Sequence, residues 1–206
     1  MKHKKILFVV LLAVIALNGC ITCLHPLYTL KDLVFDARLL GTWKDSAGES
    51  TWKLESVAAI MKAKGDTTTL TSFATKLVND KSYMLTYTEG KQKAEFLFNL
   101  LKLANNYYID IYPAGMGADS KLVEDYYMPV HTFGRIKVEA NSFNLEYMNA
   151  ELIYKLLSEN RIRIKHENVE YGSLITASTQ ELQQFVIKYA GNKDFYSEPV
   201  TYRKIK

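Results

Sequence analysis

The sequence predicts a mainly β domain with two or three helices, built as an antiparallel barrel or as a sandwich-like sheet with a packed C-terminal helix. After Trp43, short segments alternate apolar with polar residues, and turn residues separate them. One clear amphipathic helix pattern follows near residue 180. Several short strands with turn signals between them are typical of barrels and sandwiches.

The chain begins with the pattern of a secretory signal. Lys2, Lys4 and Lys5 give a positive start, and residues 6–17 are apolar without a break. This run is shorter than the roughly 20 residues that cross a bilayer, and it fits the apolar part of a signal peptide, about 7 to 15 residues. We therefore expect residues 1–19 to be removed.

The end of that run, Leu17-Asn18-Gly19-Cys20, resembles a bacterial lipobox. The resemblance implies that diacylglycerol is attached to the Cys20 thiol, that the chain is cut before Cys20, and that the new amine is acylated. Two or more acyl chains anchor a protein stably, because each buried methylene contributes about 0.8 kcal/mol. The expected partner is therefore a membrane, and the alternative is an uncleaved N-terminal anchor.

The residues around Cys20 also bear on location. Ile21, rather than Asp, follows Cys20, so an inner-membrane retention signal is not present at that position. We expect a protein of the cell envelope, lipid-anchored, and facing the periplasm from the outer membrane if the bacterium is Gram-negative.

Charge and cysteine usage exclude two classes of protein. Without residues 1–19, basic residues fall from 26 to 23 against 22 acidic ones, a formal net charge near +1. With no Lys- or Arg-rich run, a nucleic-acid partner is not expected. Once Cys20 carries lipid, Cys23 is the remaining thiol, so a disulfide-stabilised fold is excluded. The core alone must stabilise the domain, which this length allows.

We divide the chain into three parts. Residues 1–19 are the signal peptide, residues 20–30 are expected to be a lipidated tether, and residues 31–206 are expected to form a single β-rich domain. Pro26 and an ill-patterned sequence suggest the tether. A short helix is expected over residues 31–40.

Strands dominate after Trp43. Glu89-Gly90-Lys91 and Asn105-Asn106 read as turns between them. The expected strands are Thr51–Val57, Ser82–Thr88, Ala94–Leu103, Tyr107–Tyr112, Val130–Glu139, Ser142–Tyr147, Arg161–His166, Ser173–Thr176 and Val200–Lys206. Residues 57–79 mix helical and extended patterns and give no clear prediction.

Two helices interrupt the strands. Asn149 can cap the first, which places Leu152, Ile153 and Leu156 on one face. Ser178 and Glu181 form a capping-box pattern at the start of the second, in which each side chain satisfies a free backbone donor near the other residue. The second helix is expected to end at Gly191.

Gly41-Thr42-Trp43 resembles the G-x-W start of lipocalins and smaller lipocalin-like proteins. In that family the Trp closes one end of a β-barrel, and an Arg from a late strand stacks over its ring. The resemblance implies that Trp43 closes a barrel here and that Arg203 is its partner, with Arg161 or Arg163 as substitutes. A cation over Trp contributes about 0.5 to 2 kcal/mol. In a different β-rich fold, Trp43 is a core aromatic.

A broader resemblance is to uncharacterised bacterial lipoproteins. The matching pieces include Cys20, residues 25–29 (HPLYT), residues 32–36 (DLVFD), residues 40–43 (LGTW), residues 129–131 (PVH) and residues 174–182 (LITASTQEL). It extends over most of the chain, but residues 57–79 depart from it and look like an insertion. The resemblance implies an anchored envelope protein and no particular activity.

Candidate catalytic and metal-binding residues are few. His25, His131 and His166 remain after cleavage, and none has metal-ligand spacing to another ligand-type residue. A hydrolase would need carboxylates or histidines to converge in a cleft, and His131 and Asp110 are the residues that would test it. We expect no enzyme, no catalytic residues, no metal, and no cofactor apart from the diacylglycerol and N-acyl chain on Cys20.

Aromatic residues crowd the middle of the chain. One face of the strands there could line a ligand pocket, for which Tyr87, Phe98 and Tyr108 are the candidates. A tyrosine-rich core with cross-strand aromatic pairs is the alternative. The expected role is therefore the binding of a small apolar ligand in a lipocalin-like fold. The alternative is an interaction or maintenance protein of the envelope with a filled core and no ligand.

Overall fold

Alternation of apolar and polar residues lets eight strands close into one barrel. The computed structural model describes residues 21–64, 77–115, 128–169 and 172–205. The barrel strands are β2 (Gly41–Asp45), β3 (Ser50–Ser56), β4 (Tyr83–Glu89), β5 (Gln92–Leu103), β6 (Asn106–Gly115), β7 (Thr132–Val138), β8 (Ser142–Tyr147) and β11 (Val200–Lys204). Each pairs antiparallel with the next, and β11 pairs with both β8 and β2. The barrel prediction, and its lipocalin-like form, are therefore confirmed over the sandwich.

Cross-strand pairs fill the inside of this barrel with aromatic rings. Trp43 lies opposite Trp52, and Tyr202 lies opposite Phe143. The ring centroids of Trp43 and Phe143 are 4.9 Å apart, and those of Trp52 and Tyr202 are 4.6 Å apart. All four side chains are buried. Because each large ring removes much apolar surface from water, the inside of the barrel is a packed core.

A second core lies on the outer face of the barrel. Leu101, Tyr108 and Phe133 project outwards from β5, β6 and β7, and the N-terminal segment and two helices cover them. These helices are α2 (Ala150–Ser158) and α3 (Thr179–Tyr189); a third helix, α1 (Val57–Lys64), follows β3 directly. The outer core explains how strands with apolar residues on both faces avoid exposing either face.

Part of the segment expected to be a tether packs in this second core: Ile21, Cys23, Leu27 and Tyr28 are buried there, while Leu24 and Leu30 are exposed. Thr22–Cys23 forms β1, which pairs parallel with β10 (Gly172–Ile175), and β10 pairs antiparallel with β9 (His166–Val169). The side chains of Cys23 and Leu27 have no exposed surface. The buried residues of this segment have no regular spacing, because the chain after β1 is irregular. Its sequence therefore shows neither a strand nor a helix pattern.

The two predicted helix caps are confirmed. The Asn149 side chain accepts a hydrogen bond from the backbone of Leu152 at the start of α2. At α3, the Ser178 Oγ accepts from the Glu181 backbone, and the Glu181 side chain accepts from the Ser178 backbone. Gly90, between β4 and β5, has a φ of +57°, which a glycine adopts without strain. Local hydrogen bonding sets these boundaries, so the sequence alone could reveal them.

Two local predictions differ from the structure. The helix expected over residues 31–40 is replaced by an extended segment and a single 3-10 turn at Ala37–Leu39. The strand expected at residues 161–166 lies further along, at His166–Val169. In both places the chain follows the surface of the barrel, and tertiary contacts override local preference. Of the unassigned residues 57–79, the first eight form α1, and residues 65–76 lie outside the described residues.

Candidate functional site

A groove at one end of the barrel is the candidate binding site. Its volume is about 440 Å³, within the range of roughly 300 to 1,000 Å³ that is usual for small-molecule sites. Leu100, Ile136 and Val138 line it from β5 and β7; Leu100 and Ile136 are buried beneath it, and Val138 is partly exposed. We call it the end groove. It lies beside the 3-10 turn at Ala37–Leu39, where the chain crosses the end of the barrel.

Charged side chains around the end groove are arranged as ion pairs. Arg38 contacts the Asp36 carboxylate at 2.5 Å, and the Arg135 Nε donates to Glu146 at 2.7 Å. The Asp36 pKa is lowered by the hydrogen bonds from Arg38. The Lys137 Nζ lies 3.3 Å from Glu139. Since each cation has a carboxylate beside it, the groove offers donors and acceptors together with little net charge.

Arg135 also connects the groove to helix α3. Its NH1 donates to the carbonyl of Ala190 at 2.8 Å, just after α3 ends. Its guanidinium lies over the ring of Tyr196, 4.2 Å from the centroid. The exposed ring of Tyr107 lines the same groove, with the amide side chains of Asn105 and Asn106. The aliphatic surface is therefore bordered by side chains that can hydrogen-bond to a polar group.

Trp43 lies at the end of the barrel, but its cationic partner is Lys204 and not Arg203. The Lys204 Nζ is 5.0 Å from the centre of the Trp43 ring and donates to the carbonyl of Arg38. Arg203 lies opposite Lys44, and its side chain is exposed. The prediction failed because alternate residues of a strand face opposite sides. Tyr202 is inside the barrel, so Lys204 shares that face and Arg203 does not.

The three residues predicted to line one pocket are divided between two faces of the sheet. Tyr87 lies opposite Trp52, and Phe98 lies opposite Tyr83, so both face the inside of the barrel. Tyr108 lies opposite Leu101 in the outer core. The structure thus corrects the single pocket of Tyr87, Phe98 and Tyr108, because Tyr108 is on the other side of the wall.

Asp110 and His131, predicted separately as the residues that would test a hydrolase, are brought together by the fold. The Asp110 Oδ1 lies 2.7 Å from the His131 Nδ1, and the Oδ2 accepts from the backbone of Leu27 at 2.7 Å. The exposed fractions are 0% for Asp110 and 3% for His131. Because a substrate would need access to these atoms, the closed position suits a structural role better than catalysis.

Further polar side chains extend this buried region. Asn99 lies opposite Asp110 on β5; it accepts from the Ser82 hydroxyl and donates to the Tyr28 hydroxyl. We call Ser82, Asn99, Asp110, His131 and Tyr28 the polar cluster. A sequence signal was available, since Asn99 interrupts the apolar run of residues 96–101 and Asp110 interrupts that of residues 107–112. Only the register shows that they are neighbours.

Cys23 is the free thiol of the described residues, and it is buried against the polar cluster. Its backbone exchanges two hydrogen bonds with His131, of 2.9 and 2.8 Å. Burial, and then the negative charge of Asp110, raise the pKa of the Cys23 thiol well above its usual value. Since the thiolate is the reactive form, this side chain is unreactive in the folded protein.

The remaining site predictions concern the anchor and metals. Cys20 lies outside the described residues. Within residues 21–64, 77–115, 128–169 and 172–205, no group of three or more His, Cys, Asp or Glu side chains is placed to hold a metal ion. In the same ranges, every helix is too short or too polar to cross a bilayer.

Comparison of the chain with protein-family models gave no match, and comparisons with curated proteins and with solved structures gave none either.

Proposed function

We propose that this protein is a lipid-anchored component of a bacterial envelope whose barrel is a non-catalytic binding module, with the end groove as its ligand site. The observation that carries the binding role is the groove of about 440 Å³ beside the packed barrel. Three aliphatic residues line it among eight charged, amide or tyrosine side chains, so a ligand there could place a short apolar group and also form several polar contacts.

The anchoring part of the proposal rests on the N-terminal sequence. The apolar run over residues 6–17 and the motif ending in Cys20 support export, cleavage and attachment of diacylglycerol and an N-acyl chain. Ile21 after Cys20 supports an outer-membrane position facing the periplasm in a Gram-negative bacterium. The folded domain would then carry out its binding role at a membrane surface.

The composition of the groove defines the class of ligand. Leu100, Ile136 and Val138 favour a short apolar portion. The ion pair of Arg135 with Glu146 favours a head group that carries both donors and acceptors. A ligand with a net charge would be attracted by one member of this pair and repelled by the other from a similar distance. We therefore propose a small amphipathic molecule that is neutral or zwitterionic.

The inside of the barrel does not support the binding of a small apolar ligand within the barrel itself. The rings of Trp52, Phe143 and Tyr202 contact one another there, with Phe143 and Tyr202 stacked at 4.7 Å. A ligand would have to displace buried aromatic surface, at a cost of several kcal/mol per ring. The end groove requires no such displacement.

The filled barrel favours a second candidate function, an interaction or maintenance protein of the envelope that takes no small ligand. In that case the barrel is a scaffold and its outer surface binds an envelope protein. Crosslinking on intact membranes would then recover a defined partner, and the end groove would be unnecessary for that contact.

The ligand test compares two equivalent substitutions. Val138→Trp fills the end groove, whereas Val200→Trp places the same ring at an exposed position that does not line the groove. The full chain is purified from membranes, and a short-chain monoacyl phosphatidylcholine is titrated while bound complex is measured by native mass spectrometry. We expect saturable 1:1 binding that weakens at least tenfold in V138W and persists in V200W. Equal binding by both variants would contradict the groove, and no binding by the natural chain would favour the interaction protein.

A separate experiment tests the anchor. Cys20→Ala should leave an uncleaved precursor that lacks the mass of the diacylglycerol and N-acyl chain. Cys23→Ala should be cleaved and should carry that lipid mass. Intact-mass measurement of the membrane fraction distinguishes these results. A natural chain that begins at Met1 and carries no lipid would refute the anchoring proposal.

A further inference from the structure

The folded domain begins immediately after the proposed lipid attachment residue. Ile21 is only 5% exposed and belongs to the outer core. Thr22–Cys23 is already a strand of the small sheet. A single residue extends the chain by at most about 3.5 Å, so any lipid on Cys20 would be joined to the fold without a flexible spacer. This inference rests on the anchoring proposed above.

The start of the domain is held on two sides. Thr22 and Cys23 pair with Leu174 and Ile175 of β10, and the Leu24 backbone donates to Ile175 at 2.9 Å. On the other side, Cys23 exchanges both backbone hydrogen bonds with His131. Pulling the first residues away from the barrel would break these bonds and expose apolar side chains to water.

A further bond fixes the segment beyond the strand. The Leu27 backbone donates to the buried carboxylate of Asp110 at 2.7 Å, and the Leu27 side chain has no exposed surface. Hydrogen bonds to charged groups are stronger than those between neutral groups. The polar cluster therefore holds the N-terminal segment on the barrel and makes its starting point part of a rigid body.

The register of the small sheet shows which part of the surface surrounds that starting point. Thr22 lies opposite Leu174 in a parallel pair, so the chain before Thr22 points towards the Gly172 end of β10. At that end, Gly172 pairs with Val169, whose side chain is 50% exposed. The chain before Thr22 thus leads towards the end of the small sheet where Val169 and Gly172 pair.

We propose that the domain lies directly on its membrane, with the paired residues Val169 and Gly172 of the small sheet against the lipid head groups. The partner is the lipid surface that holds the acyl chains. The anchor fixes this end within a few ångströms of the bilayer, and the pinned strand β1 prevents the domain from turning away. The exposed apolar side chain of Val169 is compatible with contact in the interfacial region.

The opposite side of the barrel should face away from the membrane. His131 and Asp110, which hold the N-terminal segment, are next to β7 and on β6. In the closed order of eight strands, β3 is four positions from β7. Lys53 on β3 is exposed and alternates with the inward-facing Trp52 and Leu54, so it marks the outer face of the strand across the barrel from β7.

Depth-dependent fluorescence quenching tests this orientation in the full, lipid-bearing chain. Val169→Cys and Lys53→Cys each provide one exposed thiol for the same fluorophore, since Cys23 is fully buried. The labelled proteins are reconstituted into phosphatidylcholine vesicles in which some lipids carry a nitroxide on the head group. We expect quenching of the label at position 169 to be at least threefold stronger than at position 53. Equal quenching at the two positions would overturn the proposal.

A linker variant separates a fixed orientation from simple proximity. Ten Gly and Ser residues inserted between Cys20 and Ile21 add roughly 17 Å of flexible chain. We expect the difference in quenching between the two positions to fall below half its original size, while the urea unfolding midpoint stays unchanged. A difference that survives the insertion would show that the lack of a spacer does not orient the domain. If the variant fails to fold, the comparison in the natural-length chain still decides the proposal.

Lipid attachment is measured on the same samples. Intact-mass analysis of each reconstituted protein reports whether Cys20 carries its acyl chains. A protein without lipid refutes the proposed anchoring, whereas a lipid-bearing protein with equal quenching refutes the orientation alone.

Discussion

The Nδ1 of His131 lies 2.7 Å from the Oδ1 of Asp110, and both side chains are withdrawn from solvent. The carboxylate accepts at its other oxygen from the backbone of Leu27. The pair therefore connects β6, the residue before β7 and the N-terminal segment. Its position beneath residues 21–30 makes it the polar centre of the contact between that segment and the barrel.

Removal of Asp110 should destabilise the protein strongly. Asp110→Ala leaves the Nδ1 of His131 and the backbone N–H of Leu27 buried without an acceptor. We expect the free energy of unfolding to fall by roughly 3 to 5 kcal/mol, the usual cost when one member of a buried pair is removed. Urea unfolding followed by circular dichroism measures the change. Asp80→Ala, at an exposed position, is the control and should change it by less than about 0.5 kcal/mol; similar values for both variants would contradict a structural role for the pair.

The closure of the barrel end by Lys204 predicts different effects for two neighbouring substitutions. Lys204→Met removes the cation over Trp43 and should lower the free energy of unfolding by about 1 kcal/mol. Arg203→Met, on the outer face, should have little effect. Thermal unfolding monitored by tryptophan fluorescence compares the two. A larger loss of stability in the Arg203 variant would mean that Arg203, as the lipocalin resemblance implied, is the cation that stabilises this end of the barrel.

The buried position of Cys23 predicts a thiol that reacts only after unfolding. Burial and the charge of Asp110 raise its pKa, so the folded protein retains the protonated thiol at pH values where an ordinary cysteine is ionised. We expect a disulfide reagent such as dithionitrobenzoate to react at least a hundredfold more slowly with the native protein than in denaturant at pH 8. The same reagent should react rapidly with the exposed Val169→Cys variant. Rapid modification of the native chain would show that residues 21–30 open readily.

A pH dependence is expected at the turn between β2 and β3. Burial raises the pKa of Asp45, but hydrogen bonds from Ser50 and Glu49 outweigh it and leave the pKa below its usual value. The carboxylate accepts from the backbones of Glu49 and Ser50, both at 2.9 Å. Because the folded-state pKa is lowered, this stabilisation is complete above the unfolded-state pKa of about 3.9 and is lost as the pH falls through the folded-state value.

Asp45→Asn should therefore reduce stability at pH 7 by roughly 1 kcal/mol, since solvent partly screens this half-buried group. The difference between variant and natural chain should shrink as the pH is lowered below 4. Urea unfolding over a series of pH values measures it, and Glu49→Gln is a matched charge-removal control at an exposed position. A difference that grew on acidification would reverse the assigned sign.

Several parts of the fold were available from the sequence because they depend on nearby residues. The capping box of Ser178 and Glu181 joins residues three apart, and the Gly90 turn needs only a local backbone conformation. Strand alternation placed Trp52 and Leu54 on one face. By contrast, the choice between Lys204 and Arg203 depends on the register of β11 with its neighbouring strands. A shift of one residue in that register moves every side chain of the strand to the other face of the sheet.

The candidate site was less accessible because its residues are distant in the chain. The end groove combines Leu100 with Arg135 and Val138, which meet only when β5 and β7 are placed in the same barrel wall. Asn99 and Asp110 could be flagged as polar residues in apolar strands, but their pairing depends on the register of β5 with β6. The pocket of Tyr87, Phe98 and Tyr108 failed for the same reason.

The sequence by itself determined that strands predominate, the capped starts of α2 and α3, and the export signal pattern that leads to the lipid hypothesis at Cys20. These features follow from short-range periodicity and backbone hydrogen bonding. Tertiary structure alone decided that Cys23 and Leu27 are buried, that Asp110 meets His131, and that aromatic rings fill the barrel. Each of these results depends on contacts between segments that are far apart in the chain. The local sequence around a residue does not show which distant segment will cover it.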